Sequence, residues 1–131
     1  VAGIHDNDPN TPNKILAPLG WHVSTYGEWI ILTDFLGGPT VAGGKMKETG
    51  TVHWKSPNQD ATNSSGFTGL PGGVRGGNGS FRDVGNFCGW WPSSEYNAAT
   101  AWSRYLSYNI GKVEGGPSDK FVGCSVRCVK D

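Results

Sequence analysis

The chain has 131 residues, and 11 lysines and arginines against 11 aspartates and glutamates give it a formal charge of zero. A single domain of this length and balance has no basic excess with which to hold nucleic acid or an anionic membrane. Gly, Pro, Asn, Ser and Thr supply 58 residues, 44% of the chain, and 15 aromatics, six of them Trp, stand against them, so the expectation is a loop-heavy domain around an aromatic core rather than a disordered chain.

The longest apolar block, Trp29-Ile30-Ile31-Leu32, is far short of the roughly 18 apolar residues of a membrane span, and no membrane insertion is expected. No charged-then-apolar leader opens the sequence, so Val1 is expected to be a processing boundary. Residues 1–17 read as an irregular lead-in that Pro9 and Pro12 keep out of helix. Within it, Asp6-Asn7-Asp8-Pro9-Asn10 has the opening spacing of a calcium loop. The sixth position is Thr11 rather than Gly and the twelfth Ala17 rather than Glu, which predicts a solvated turn instead.

Trp21-His22-Val23 predicts a short strand. Thr25 with Glu28 three residues on fits a capping box opening a helix over 25–36, along which Trp29, Ile31, Leu32, Phe35 and Leu36 recur before Gly37-Gly38-Pro39 stops it. A second, shorter helix is expected from Thr40 to before Gly50, carrying Val41, Ala42 and Met46. From Thr49 to Gly89 the chain is dominated by Gly, Asn, Ser and Pro, with Trp54, Phe67, Leu70, Phe81 and Val84 as isolated anchors and short strands at 70–75 and 79–84. No Gly-Lys-Ser/Thr closes these glycines into a phosphate loop. Asn63 and Asn78 open Asn-x-Ser sequons, which matter only where the source glycosylates.

The last third reads as strands. Over 101–109, Trp102, Arg104, Leu106 and Tyr108 alternate with Ser103, Tyr105, Ser107 and Asn109, which places the two sets on opposite faces. Over 121–130, Val122, Cys124, Val126 and Cys128 alternate with Phe121, Ser125, Arg127 and Val129, and Ile110 to Lys120 is expected to turn between the two runs. A buried Arg104 needs an acidic partner, for which Glu95 or Asp83 is available. His22 and Arg127 read as hydrogen-bonding groups of the core.

Cys88, Cys124 and Cys128 are an odd number of thiols. On one strand Cys124 and Cys128 would stand about 13 Å apart, beyond the roughly 7 Å a disulfide tolerates. Either Cys88 pairs with one of them or all three are free thiols behaving as small hydrophobes. His5, His22 and His53 are scattered, with no CxxC or HxxxH spacing, so no zinc site is expected.

Eight blocks in one order are similar to the Fibrobacter succinogenes major paralogous domain. They are Gly20-Trp21-His22-Val23-Ser24-Thr25-x-x-Glu28-Trp29, Leu36-Gly37-Gly38, Ala42-Gly43-Gly44-Lys45-Met46-Lys47-Glu48-Thr49 and Asn63-Ser64-Ser65-Gly66-Phe67, followed by Leu70-Pro71-Gly72-Gly73-x-Arg75, Trp90-Trp91, Ala101-Trp102-x-Arg104-x-Leu106-x-Tyr108 and Ser125-Val126-Arg127-Cys128-Val129-Lys130-Asp131. The resemblance covers about residues 18–131, which are taken as one domain. It implies an α+β, C-type-lectin-like fold of the formylglycine-generating-enzyme type, with two helices packed on small antiparallel sheets, long Gly-rich loops and adjacent termini. It also implies a disulfide from a cysteine just before the Gly-Trp-His block to the position of Cys128; here that first position is Ala17.

Similar domains occur as variable proteins of diversity-generating retroelements, whose mutagenesis rewrites Asn-type codons. The resemblance therefore implies a non-catalytic, receptor- or adhesin-type display domain whose ligand face comprises Phe87, Tyr96, Ser103, Tyr105, Ser107, Asn109, Ile110, Lys112, Glu114, Phe121 and Val122. Tyr and Phe would supply contact area while Ser and Asn adapt their hydrogen bonds. The expected partner is a protein or glycan on another cell surface, and the expected location is outside the cell, on a bacterial surface or phage virion, as part of a larger polypeptide or assembly. An adhesive module of a pilus or phage tail is the alternative. A formylglycine-generating-type oxygenase would need two close cysteines for copper, and only Cys88 stands in the corresponding stretch. No cofactor is expected; with no Glu-Pro-Asn loop, calcium-dependent sugar binding is not expected either, which leaves room only for a structural calcium on backbone carbonyls.

Overall fold

The structure, a computed structural model, describes residues 16–131. The Asp6–Asn10 turn, His5 and nearly all of the expected lead-in lie outside the described residues. The elements in chain order are β1 (Trp21–Val23), α1 (Tyr26–Phe35), α2 (Pro39–Met46), β2 (Val74–Arg75), β3 (Phe81–Arg82), β4 (Phe87–Trp90), β5 (Thr100–Ser107), β6 (Glu114–Asp119) and β7 (Cys128–Lys130). The architecture is α+β, with three small antiparallel sheets: β1 with β7, β2 with β3, and the three-stranded β4-β5-β6.

The predicted capping box is in place. Thr25 Oγ1 accepts the Glu28 N–H at 3.2 Å, and the Glu28 carboxylate accepts the Thr25 N–H at 2.7 Å, so two of the free donors at the start of α1 are satisfied reciprocally. The apolar residues of α1 do not form one stripe, however. Trp29, Thr33 and Leu36 face inward, whereas Ile31 and Phe35 are 69% and 86% exposed. A polar residue takes an inward place because Thr33 Oγ1 donates back to the Trp29 carbonyl at 2.6 Å.

α2 opens on Pro39, whose missing N–H costs nothing at the first helical position. Its glycines serve close approach. The Gly44 N–H donates to the Gly111 carbonyl at 2.7 Å and the Thr62 N–H to the Gly44 carbonyl at 2.8 Å, and a Cβ at Gly44 would run into the Asp60 backbone. Two loops distant in sequence thus seat directly on the helix backbone.

The core gathers Trp29, Leu36, Met46, Trp54, Cys88, Trp90, Leu106 and Val113. Trp29, Phe67 and Trp90 meet with ring centroids 5.4 to 5.7 Å apart, in tilted or edge-on arrangements. Of the anchors expected in the Gly-rich stretch, Trp54 is buried and donates its indole N–H to the Gly69 carbonyl at 2.9 Å, and Phe67 plugs the core; Leu70, Phe81 and Val84 are exposed.

Three expectations about the C-terminal third need correction. The segment read as a turn contains β6, because Gly115, Gly116 and Pro117 pair along β5 as an edge strand, where a proline needs no ladder donor on its outer side. The run 121–130 alternates in burial but forms a ladder only at Cys128–Lys130; upstream it touches other strands through single bridges, Gly123 to Arg75 and Ser125 to Trp90. Among the described residues Arg104 has no acidic partner: Glu95 pairs with Lys120 at 3.2 Å and Asp83 with Arg82 at 2.9 Å, and the Arg104 guanidinium lies 4.4 Å from the Tyr26 ring centroid instead.

His22 and Arg127 are surface clamps rather than core groups. His22 bridges Asp131 Oδ1 at 2.6 Å and Glu28 Oε1 at 2.8 Å, tying β1 to the α1 N-terminus and the chain end, and these two carboxylates raise its pKa. Arg127 lies over the Phe67 ring, 4.5 Å from its centroid, and donates to the Phe67 carbonyl at 3.2 Å. The pairing of β1 with β7 brings Trp21 opposite Lys130.

Among the described residues the fully buried charge is Lys47, with no exposed surface. Its ammonium donates to the carbonyls of Gln59 at 2.7 Å, Ile110 at 2.9 Å and Ser107 at 3.0 Å, beside the Trp54 ring. Burial pulls its pKa down from 10.5 to about 8.

Lys47→Met is expected to lower the unfolding free energy at pH 7 by about 3 kcal/mol, since it leaves three buried carbonyls unpaired. Between about pH 8 and 10.5 the unfolded chain binds more protons at Lys47 than the folded one. The group's contribution to stability therefore rises with pH across that window. Denaturant unfolding of wild type and Lys47→Met at pH 7, 8, 9 and 10 should show the gap widening; a constant gap would mean that Lys47 titrates as an ordinary lysine. Gly44→Ala is expected to cost about 2 kcal/mol through overpacking against the Asp60 backbone, read as a lowered urea midpoint.

Candidate functional site

The β4-β5-β6 sheet has two unlike faces because strand side chains alternate. Register sets them. Phe87 pairs with Ser107, Gly89 with Tyr105, Tyr105 with Glu114, Ser103 with Gly116 and Ala101 with Ser118, so these positions share the outer face. Cys88, Trp90 and Leu106 point the other way, into the core.

Five expected ligand residues, Phe87, Ser103, Tyr105, Ser107 and Glu114, therefore lie on one face. Over it sits a cavity of about 220 Å³ whose lining includes Phe87, Gly89, Ser103, Tyr105, Ser118, Val122 and Cys124, with Val74, Arg82 and Asp83 of the β2-β3 hairpin on the far wall. Val122, a sixth expected residue, is thus also at the cavity. The Phe87 and Tyr105 rings pack at 5.2 Å between centroids.

Ser103 is not on a wet surface. It is 3% exposed, its hydroxyl 2.9 Å from the Gly116 carbonyl and 3.0 Å from Ser118 Oγ, because β2, β3 and the 121–125 segment cover that end of the face. Next to the cavity, Asn109 and Lys112 are exposed, and the Lys112 ammonium pairs with Glu114 at 2.7 Å, which raises its pKa. Ile110 is partly buried and held through its carbonyl by Lys47. Phe121 is 65% exposed, with its ring against Gly77.

Tyr96 departs from the group. A turn in which Asn97 Oδ1 accepts the N–H groups of Ala99 and Thr100 folds it back, and its ring meets Trp102 edge-on at 4.9 Å, on the face opposite the cavity. There it joins Tyr26, stacked on Trp102 at 4.1 Å. Sequence reasoning missed Ser118, in a stretch read as a turn, and Arg82 and Asp83, whose hairpin carried no signal of where it docks.

All three cysteines are free thiols. Cys88 points into the core, whereas Cys124 lies on the outer face, its sulfur 3.1 Å from where a Cβ on Gly89 would sit, so the sheet separates them. Burial raises both pKa values, that of Cys124 to about 11, and both are protonated at neutral pH. Among the described residues, no three or more of His, Cys, Asp and Glu converge as a metal-ligand set.

A second concavity of about 480 Å³ runs along α1, walled by Trp29, Ile31, Leu32, Phe35, Phe67 and Val129. Ile31 and Phe35, the outward apolar residues of that helix, form part of its wall.

No curated protein and no solved structure matches the chain. The Fibrobacter succinogenes major domain matches over residues 6–130, a span that begins inside the expected lead-in and takes in both helices and every strand described above. The chain belongs to the Fibrobacter succinogenes major domain family.

Proposed function

We propose that the domain is a non-catalytic ligand-binding module of C-type-lectin-like, formylglycine-generating-enzyme type, displayed on a bacterial surface or phage particle. Its binding face is the outer side of β4-β5-β6 with the 109–114 turn and Phe121. The observation that carries this reading is the division of one strand into two roles: Leu106 is buried at 1% exposure in the core, while its neighbours Tyr105 and Ser107 face a cavity and solvent. Side chains at the Tyr105–Ser107 end of that outer side can change with little effect on the core, the property that retroelement diversification requires. A role without chemistry of its own is favoured over an oxygenase because Cys88 and Cys124 lie on opposite faces of the sheet and do not converge on one site. The exposed apolar side chains of Ile31 and Phe35 line the concavity along α1, which supports burial of that face in a larger polypeptide or assembly.

The test is a contrast within one strand. Randomising Tyr105, Ser107, Asn109, Lys112 and Phe121 should leave most library members folded, with melting temperatures within about 5 °C of wild type, and selection should recover binders to unrelated proteins. Leu106→Ala should cost about 3 kcal/mol. A library that is mostly unfolded would place those five residues in the core and sink the reading.

A further inference from the structure

We infer that the cavity over the outer sheet face receives one aromatic side chain bearing a hydrogen-bond donor, a tyrosine or tryptophan of a protein partner. The inference rests on the binding role proposed above and specifies what that site recognises. Its size comes first. At about 220 Å³ it is below the roughly 300 to 1,000 Å³ of sites for drug-sized ligands, and above the roughly 150 Å³ apolar cavity that accepts benzene, so it suits a single substituted ring.

The walls suit a ring as well. Phe87 and Tyr105 offer aromatic surface on one side, Val74 and Val122 aliphatic surface, and the Cys124 thiol is uncharged. Offset or edge-on packing against such rings is what an incoming aromatic favours.

The floor then selects the polar end. Ser103 has one hydroxyl proton, and the Gly116 carbonyl, which can only accept, takes it at 2.9 Å. In the 3.0 Å contact between the two serines, Ser118 must therefore be the donor. Both protons are committed, and what the floor presents is acceptor lone pairs. A ligand that reaches it has to bring an O–H or N–H, as a phenol or an indole does, and a phenylalanine ring would leave those acceptors dry and unpaired.

A sugar fits less well. Its hydroxyls ring the molecule and need polar partners all round, whereas beside the two serines and the Arg82–Asp83 pair the lining is Val74, Phe87, Gly89, Val122, Cys124 and the Tyr105 ring. Tyr and Trp, apolar in body and polar at one tip, are also the residues that most often anchor protein interfaces.

The experiment is an amide chemical-shift titration of the whole chain with N-acetyl-tyrosinamide, N-acetyl-phenylalaninamide and methyl glucoside, on wild type and Ser118→Ala. The tyrosine compound should shift Ser103, Tyr105, Ser118 and Val122 saturably and bind about 5-fold more tightly than the phenylalanine compound, the ratio one neutral hydrogen bond of about 1 kcal/mol supplies. Ser118→Ala, which leaves Ser103 as the one hydroxyl acceptor of the floor, should narrow that preference and leave phenylalaninamide binding unchanged. Equal binding of the two amides, tighter binding of the glucoside at the same residues, or no shift at all would overturn the inference. Such a result with a foldable library that still yields binders would leave the binding face intact and remove only this pocket's assignment. A library that unfolds would remove both.

Discussion

The Lys47 ammonium sits one residue beyond α2 beneath three carbonyls drawn from Gln59, Ser107 and Ile110, segments that share no sheet with the helix or with one another's loops. A buried cation is costly unless it is fully paired, and here each of its three protons has one acceptor. The same contact fixes the end of β5 and the turn that follows it. Glycines 43, 44 and 111 let the backbones close on one another around this point, with the Gly44 N–H donating to the Gly111 carbonyl at 2.7 Å. The turn carrying Asn109, Ile110 and Lys112 can therefore present its side chains outward because its main chain is held from below.

The sheet follows the same logic at a larger scale. Its inner face is closed by Trp29, Trp90 and Leu106, so the register of β4 and β5 cannot slip without turning Leu106 into solvent and Tyr105 into the core. That specification leaves the outer residues free of packing duty at one end. Binding residues on such a surface inherit the rigidity of the strand beneath them, which is what lets a contact be exchanged without re-ordering the scaffold.

The parts of this structure that could be read from the sequence are those set by local rules. The α1 start was legible because a capping box is a three-residue relation, and the two faces of 101–109 because period two is visible in Trp102-x-Arg104-x-Leu106. What was hidden depends on contacts between distant segments. Ile31 and Phe35 keep helical spacing yet lie outside, since Thr33 turns inward by bonding to Trp29. β6 is written in Gly-Gly-Pro, a turn signature that becomes an edge strand only beside β5. Arg104 meets a ring in place of a carboxylate because Glu95 and Asp83 have other cations nearer at hand.

Ser103 marks where the outer face stops being exchangeable. By alternation it belongs with Tyr105 and Ser107, but its hydroxyl joins the Gly116 carbonyl to Ser118 and it is buried at the cavity floor. A larger residue there would press on β6 and an apolar one would leave both groups short of a partner. The face thus has a fixed end, made of Ala101, Ser103 and Ser118, and an open end at Tyr105, Ser107 and Glu114 that continues into the turn held by Lys47. In the binding role proposed above, a ligand crossing from one to the other would meet a constant polar floor first and a changeable rim second, so a common and a variable part of recognition would be separated along a single strand.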